Sequence, residues 1–255
     1  MTDIVFEQVL HGGLETIAPN GRIGLVALAT DLNSESDLRR MAPQGVDFFT
    51  TRVANTNPTT IENLRRMAPG ISCAAQCLLP GDRIDVLVYG CTSGTVAIGE
   101  AEVVRLLQAG RGSMPCTTPV TAAVKALQAF SVRRLSILTP YIGSVNREVG
   151  RFFSSRGFDV LNIVGFGIEN DNDMTAVTPA AVLRAAINAC RDEADALFIS
   201  CTALRAAEIV AGAEAQIGKP VITSNQAILW HALELIGKPY QVNGFGNLFE
   251  RSLLR

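Results

Sequence analysis

The chain has 255 residues, enough for one large or two modest domains. It is 48% hydrophobic and only 18% charged, the balance expected of an α/β protein with buried parallel strands. A net charge of −2 leaves no electrostatic footprint for nucleic acid, and no apolar run is long enough to suggest a membrane span.

Residues 1–21 read as an irregular arm containing Gly and Pro that packs on the body. The first residues lack a basic region followed by an apolar one, so no signal peptide is expected. Six cysteines without a secretory signal then point to reduced thiols in a cytoplasm. A strand is predicted at 23–30, and Asp31, Asn33 and Ser34 supply the N-cap of a helix to about 41. A second strand spans 46–53. Thr59-x-x-Glu62 after Pro58 is a capping box that opens a helix to about 67, and a further helical stretch lies around 73–79. The stretch Asp85-Val-Leu-Val-Tyr-Gly-Cys91-Thr92-Ser93-Gly94-Thr95 reads as a buried central strand, a sharp turn and a helix start. That helix is predicted to run from 95 to 109, with Gly110 as its stop. A strand at 113–117 and a Thr118-Pro119 helix start leading to 130 close the first copy.

The second half repeats the plan. Strand 134–139, helix 144–155 and strand 158–165 are followed by a polar loop at 169–173. Thr178-Pro179 caps a helix to about 191. Strand 196–200 delivers Cys201, with a helix expected from there to 218, a last strand at 220–223, and an apolar helix at 225–236. Cys91-Thr92 and Cys201-Thr202 lie 110 residues apart, and the same offset carries Asp31 onto Tyr141. Pro115-Cys-Thr-Thr and Pro220-Val-Ile-Thr match at a slightly shorter offset. Repetition at this period indicates two copies of one lobe, because solenoid repeats are shorter. The expected fold is α/β, with two pseudo-symmetric, doubly wound parallel-sheet lobes and the site in the cleft between them. Lobe 1 is placed at 1–118 and lobe 2 at 119–224, with the C-terminal helix region, 225–255, packing back on lobe 1.

In such sheets ligands bind beyond the carboxyl ends of the strands. The residues expected there are Asp31, Cys91, Thr92, Ser93, Thr118, Tyr141, Cys201, Thr202, Thr223 and Asn225. Facing lobes put Cys91 and Cys201 on opposite walls. Two thiols across a small substrate can act as nucleophile and acid, or as a base–acid pair on one carbon, with no metal or organic cofactor. A free thiol titrates near about 8.5, and a helix N-terminus is expected to lower this. The hydroxyl and N–H groups of Thr92, Ser93 and Thr202 can hold carboxylate oxygens, and Tyr141 can donate a further hydrogen bond.

Gly-Cys91-Thr-Ser-Gly, Leu-Thr-Pro-Tyr141 and Ser-Cys201-Thr resemble the aspartate/glutamate racemase superfamily. The similarity is strongest to its branch of maleate cis-trans isomerases, arylmalonate decarboxylases and ectoine-utilisation racemase-like proteins, and it spans roughly 22–235. The resemblance implies a two-cysteine isomerase or racemase; arylmalonate decarboxylases typically keep only the second cysteine, with glycine at the first. For a maleate isomerase it implies that Cys91 attacks a double-bond carbon, that Cys201 handles the proton and that Tyr141 binds a carboxylate. Ala29-Thr30-Asp31 departs from the Pro-Ser-x-Asn-like loop of maleate isomerases and looks more like the ectoine-utilisation proteins. A carboxylate at Asp31 repels a dianion unless protonated, and welcomes an ammonium group. The family's second-lobe asparagine matches Asn172 first and Asn170 next.

Other residues have plainer readings. Cys73, Cys77, Cys116 and Cys190 are expected to be packed small hydrophobes. Arg52 is expected in a structural ion pair, and His231 as a satisfied core histidine. A cysteine hydrolase is disfavoured because neither His11 nor His231 falls at a strand end. The leading expectation is a maleate cis-trans isomerase-like enzyme acting through a succinyl-cysteine. The alternatives are an ectoine-degradation amino-acid racemase-like protein, an arylmalonate decarboxylase-like enzyme, and a small-acid binding protein without turnover. The expected partner is a small mono- or dicarboxylate, with no nucleic acid or membrane, and assembly as a homo-oligomer is left open.

Overall fold

The computed structural model describes residues 5–9, 12–238 and 240–251. His11 and the last residues of the 225–255 region, 252–255, lie outside the described residues. Each half opens with a strand whose apolar run is buried along nearly its whole length. In the first half, β1 (Gly21–Leu28), α1 (Ser34–Met41) and β2 (Val46–Val53) are followed by α2 (Ile61–Arg65) and α3 (Ala68–Gln76). Then come β3 (Val86–Tyr89), α4 (Thr92–Ile98), α5 (Glu100–Arg111), β4 (Cys116–Thr117) and α6 (Pro119–Ala129). The second half contains β5 (Arg134–Thr139), α7 (Gly143–Ser154), β6 (Asp159–Gly165), α8 (Asp171–Ala176) and α9 (Pro179–Ala189). It ends with β7 (Ala196–Ile199), α10 (Val210–Ile217), β8 (Val221–Thr223) and α11 (Ser224–Ile236).

The described strands form two four-stranded parallel sheets, ordered β2-β1-β3-β4 and β6-β5-β7-β8. The orders are identical once four is added to each label, which is the duplication written in topology. Both central strands, β3 and β7, are buried on both faces. Among the described residues no helix is long and apolar enough to cross a membrane.

Four segments depart from the sequence reading. The helix predicted at 95–109 is broken at Gly99, whose φ of +100° an L side chain rarely adopts, so α4 and α5 are separate. No helix starts at Cys201: the chain runs through an irregular turn and a short 3₁₀ segment (Ala207–Ile209) before α10. The polar loop at 169–173 opens α8, capped by Asn170. The described part of the N-terminal arm packs only at its end: Val5, Phe6, Val9 and Leu14 are exposed, whereas Ala18 is buried.

Two helices cross between the halves. Ile228, Leu229, Ala232 and Leu233 of α11 pack with Ile23, Leu25, Val86 and Val88 of the first sheet. α6, which continues from the first sheet, lies against α11 and β8. These contacts hold the two sheets with their carboxyl ends toward one pocket.

Candidate active site

Cys91 follows β3 and is the N-cap of α4. Its Sγ accepts from the Gly94 N–H at 3.2 Å, in the place where a capping serine would put an oxygen. The Ser93 hydroxyl lies 3.9 Å from the same sulfur. Gly94 leaves room for this arrangement. A Cβ there would stand 2.8 Å from Cys91 Sγ, 2.8 Å from Met67 Cε and 2.9 Å from Tyr89 Oη.

Cys201 follows β7 in a different backbone. Its φ is +97°, a left-handed conformation that costs a β-carbon-bearing residue of order 1–3 kcal/mol. The turn closes on the sulfur: the Ala203 N–H donates to Cys201 Sγ at 3.4 Å, and the Leu204 N–H also favours the thiolate. The two Cys-Thr pairs, alike in sequence, are thus a helix cap in one lobe and a strained turn in the other.

Two hydrogen-bonded links join the turns across the cleft. Thr202 Oγ1 donates to the Gly90 carbonyl at 3.0 Å. Thr92 Oγ1 shares a 3.0 Å hydrogen bond with Ser224 Oγ, which accepts the Cys201 N–H at 3.0 Å. Between the turns lies a tight cavity of about 20 Å³, lined by Leu28, Thr30, Asp31, Cys91, Thr92, Ser93, Tyr141, Asp171, Cys201, Thr202 and Ala203. Tyr141 is fully enclosed, with its hydroxyl accepting from Ser200 Oγ at 3.5 Å and its field reaching Cys201.

The two carboxylates of the pocket have different surroundings. Asp31 is tied to the start of α1: its Oδ1 accepts the N–H groups of Asn33 and Ser34, both at 2.8 Å, and its Oδ2 accepts the Ser34 hydroxyl. The expectation for the second-lobe loop is corrected here. Asn172 is exposed on α8, and Asn170 turns back as that helix's cap, accepting the Asn172 N–H at 2.9 Å. The residue between them, Asp171, lines the pocket instead. Its Oδ2 accepts from Thr30 Oγ1 at 2.7 Å and Asn55 Nδ2 at 2.9 Å. Helix geometry decides this: once Asn170 caps α8, the first helical residue points to the cleft and the second to solvent. Asn55 and Thr30 were not singled out by sequence. The signal for both was their place just past the ends of β2 and β1.

Other candidates take structural roles. Thr118 caps α6, and Thr223 forms a capping box with Gln226. Asn225 donates to Asp37 and to the Thr202 carbonyl, both at 2.9 Å, outside the pocket lining. Arg52 holds the carbonyls of Leu28 and Asp31 and pairs with Glu35. His231 is buried, with Nδ1 2.7 Å from Thr117 Oγ1, and burial pushes its pKa down to about 4. Cys73 and Cys77 are a correction: α3 turns both to solvent, whereas Cys116 and Cys190 are half-buried.

Burial dominates the electrostatics of the thiols. It pushes the Cys91 thiol far up and the Cys201 thiol up to about 12, and the charge of Asp171 adds to both. The Gly94 N–H at the start of α4 and the Ala203 N–H of the second turn act in the opposite direction and are outweighed. The lowering expected from sequence is present and loses to desolvation. No Arg or Lys is among the residues lining the pocket.

Known proteins resemble this chain in sequence and in fold. The family model for arylmalonate decarboxylase matches residues 98–249. The arylmalonate decarboxylase of Bordetella bronchiseptica is 30% identical over 142 residues, 54% of this chain and 59% of that one, so the match spans less than two thirds of that relative. The maleate isomerase of Alcaligenes faecalis is 23% identical over 246 residues, covering 89% of this chain and 95% of the relative. The structure of a cysteine-to-serine variant of Nocardia farcinica maleate cis-trans isomerase with a covalently bound succinylcysteine intermediate superposes with a TM-score of 0.81. That alignment is at 22% identity and covers 90% of this chain and 98% of that one. With the duplicated sheets, the cysteine-lined cleft and a family model matching more than half of its length, the chain belongs to the arylmalonate decarboxylase family.

Proposed function

We propose that the chain is a cysteine-dependent isomerase of a small carboxylic acid, with maleate-to-fumarate conversion as the leading reaction. The observation that carries this reading is that Cys91 and Cys201, from pseudo-equivalent turns, line one small closed pocket. A decarboxylase needs one proton donor and would leave Cys91 without a task.

The pair works with one proton between its two sulfurs. The Cys91 thiolate adds to one carbon of the double bond, and the Cys201 thiol protonates the neighbouring carbon. The product is a succinyl thioether with a freely rotating single bond. After rotation the Cys201 thiolate takes the proton back, the double bond re-forms in the trans geometry and the Cys91 thiolate leaves. Tyr141 and the Ser93 hydroxyl hold carboxylate oxygens through these steps, the Thr92 and Thr202 hydroxyls being engaged with Ser224 and the Gly90 carbonyl. The test is proton NMR with maleate in D₂O. Fumarate that appears with the native protein and with neither Cys91→Ser nor Cys201→Ser supports the reading; no fumarate from the native protein overturns maleate as substrate.

One observation favours a second reaction on the same pair. Asp31 and Asp171 lie in a pocket whose lining includes no Arg or Lys. A dianion entering there meets like charge, whereas an ammonium group beside Asp171 offsets the part of the upward push on both thiols that its charge adds to burial. Racemisation of an amino acid, with one sulfur removing the α-proton and the other returning it, is therefore the second reading. Exchange of an amino acid's α-proton in D₂O, lost in either serine variant, distinguishes it.

A further inference from the structure

Asp37 lies on α1 with no exposure to solvent, behind the Cys201 turn and outside the pocket lining. Its Oδ2 accepts from two side-chain amides, Asn33 Nδ2 and Asn225 Nδ2, each at 2.9 Å. Its Oδ1 accepts from Arg40 at 2.7 Å, and Arg40 is itself 3.6 Å from Glu208. The same two amide nitrogens reach the catalytic turn. Asn33 Nδ2 donates to the carbonyls of Thr202 at 3.0 Å and Leu204 at 3.1 Å, and Asn225 Nδ2 donates to the Thr202 carbonyl at 2.9 Å.

An ionised carboxylate only accepts, so it fixes which end of each amide faces it. Asn33 and Asn225 must both present NH₂, and the NH₂ groups then also face the Thr202 carbonyl. That carbonyl and the Ala203 N–H belong to one planar trans peptide and point opposite ways. Holding the carbonyl toward Asn33 and Asn225 aims the N–H at Cys201 Sγ, where it is found at 3.4 Å. The chain of contacts also explains how Cys201 is kept at a φ of +97°. We propose that Asp37 is a positioning residue for Cys201: through Asn33 and Asn225 it sets the peptide that stabilises the Cys201 thiolate. Its catalytic meaning rests on the role proposed above for Cys201 as the acid–base thiol.

The test reads the sulfur without any substrate, so it stands apart from the question of maleate. Each cysteine's alkylation rate by iodoacetamide, a small neutral reagent, is followed at pH 9 by peptide mass spectrometry. In Asp37→Asn one amide is free to turn its oxygen to the Thr202 carbonyl. Cys201 is then expected to react about tenfold more slowly, the equivalent of one pKa unit, with Cys91 changed less than about twofold. Asn225→Ala removes one of the two donors, leaves the carboxylate in place and is expected to slow Cys201 in the same selective way; it carries the test if Asp37→Asn does not fold. An unchanged Cys201 rate in a folded variant, or equal slowing at both cysteines, overturns the proposal.

Discussion

The hydroxyl of Thr202, in the second lobe, donates to the carbonyl oxygen of Gly90, in the first, at 3.0 Å. Gly90 precedes Cys91 and Thr202 follows Cys201, so this hydrogen bond, with the Thr92–Ser224 link, sets the offset between the two thiols. Thr202→Val keeps the shape and leaves the Gly90 carbonyl buried without this donor, at a cost of about 1–3 kcal/mol. The expected result is a lower Tm, and kcat for the isomerisation reduced about tenfold or more, because misplaced groups lose rate steeply. Steady-state kinetics beside thermal melting separates the two effects.

Gly94 sits inside a helix, where alanine alone would add about 1 kcal/mol of helix stability. Here a Cβ would come within 2.8 Å of Cys91 Sγ and of Met67 Cε. Gly94→Ala is therefore expected to be destabilising by about 1–3 kcal/mol despite better propensity, since overpacking outweighs it. Denaturant unfolding measures the sign, and loss of isomerisation activity is expected with it.

Asp171 raises both thiols. Its replacement in Asp171→Asn removes the repulsion, so both thiols ionise at lower pH. At a fixed pH below their titration, more thiolate is present and both alkylate faster. In the native protein the rise of kcat/KM with pH is expected to continue into the alkaline range. In Asp171→Asn the profile shifts toward lower pH, and the KM for a dianionic acid falls. A pH profile of both proteins checks the direction.

His231 is neutral in the fold because burial lowers its pKa to about 4 from 6.5. The unfolded chain takes up its proton first as pH falls, so this group's contribution is present above about 6.5 and is lost on the way down to about 4. The loss amounts to about 3 kcal/mol over that window. Urea unfolding between pH 7 and 4 is expected to show this slope, and His231→Gln is expected to flatten it.

Strands were legible in sequence because parallel strands buried on both faces are short, continuous apolar runs, as in Val86–Tyr89 and Ala196–Ile199. The cleft followed from their carboxyl ends. What escaped was local backbone geometry that residue type does not encode. Cys201-Thr202-Ala203-Leu204 has a helical composition, yet two asparagines and a buried carboxylate from distant segments hold it as a turn. Gly99 reads as an ordinary helix glycine until its positive φ is seen. In Asn170-Asp171-Asn172 a shift of one position decides between pocket and solvent, and three polar residues in a row carry no periodic signal to set that phase.

The crossing of α6 and α11 between the sheets has a consequence for how the molecule comes apart. A chain cut near 118 would leave the Ile23, Leu25, Val86 and Val88 face with Leu38 and Met41 of α1 but without α11, the part of its cover made last, at the far end of the sequence. On the ribosome the first sheet must wait, half finished, for nearly the whole protein to emerge. The duplicated halves are in this sense a clasp whose last-made piece locks the first.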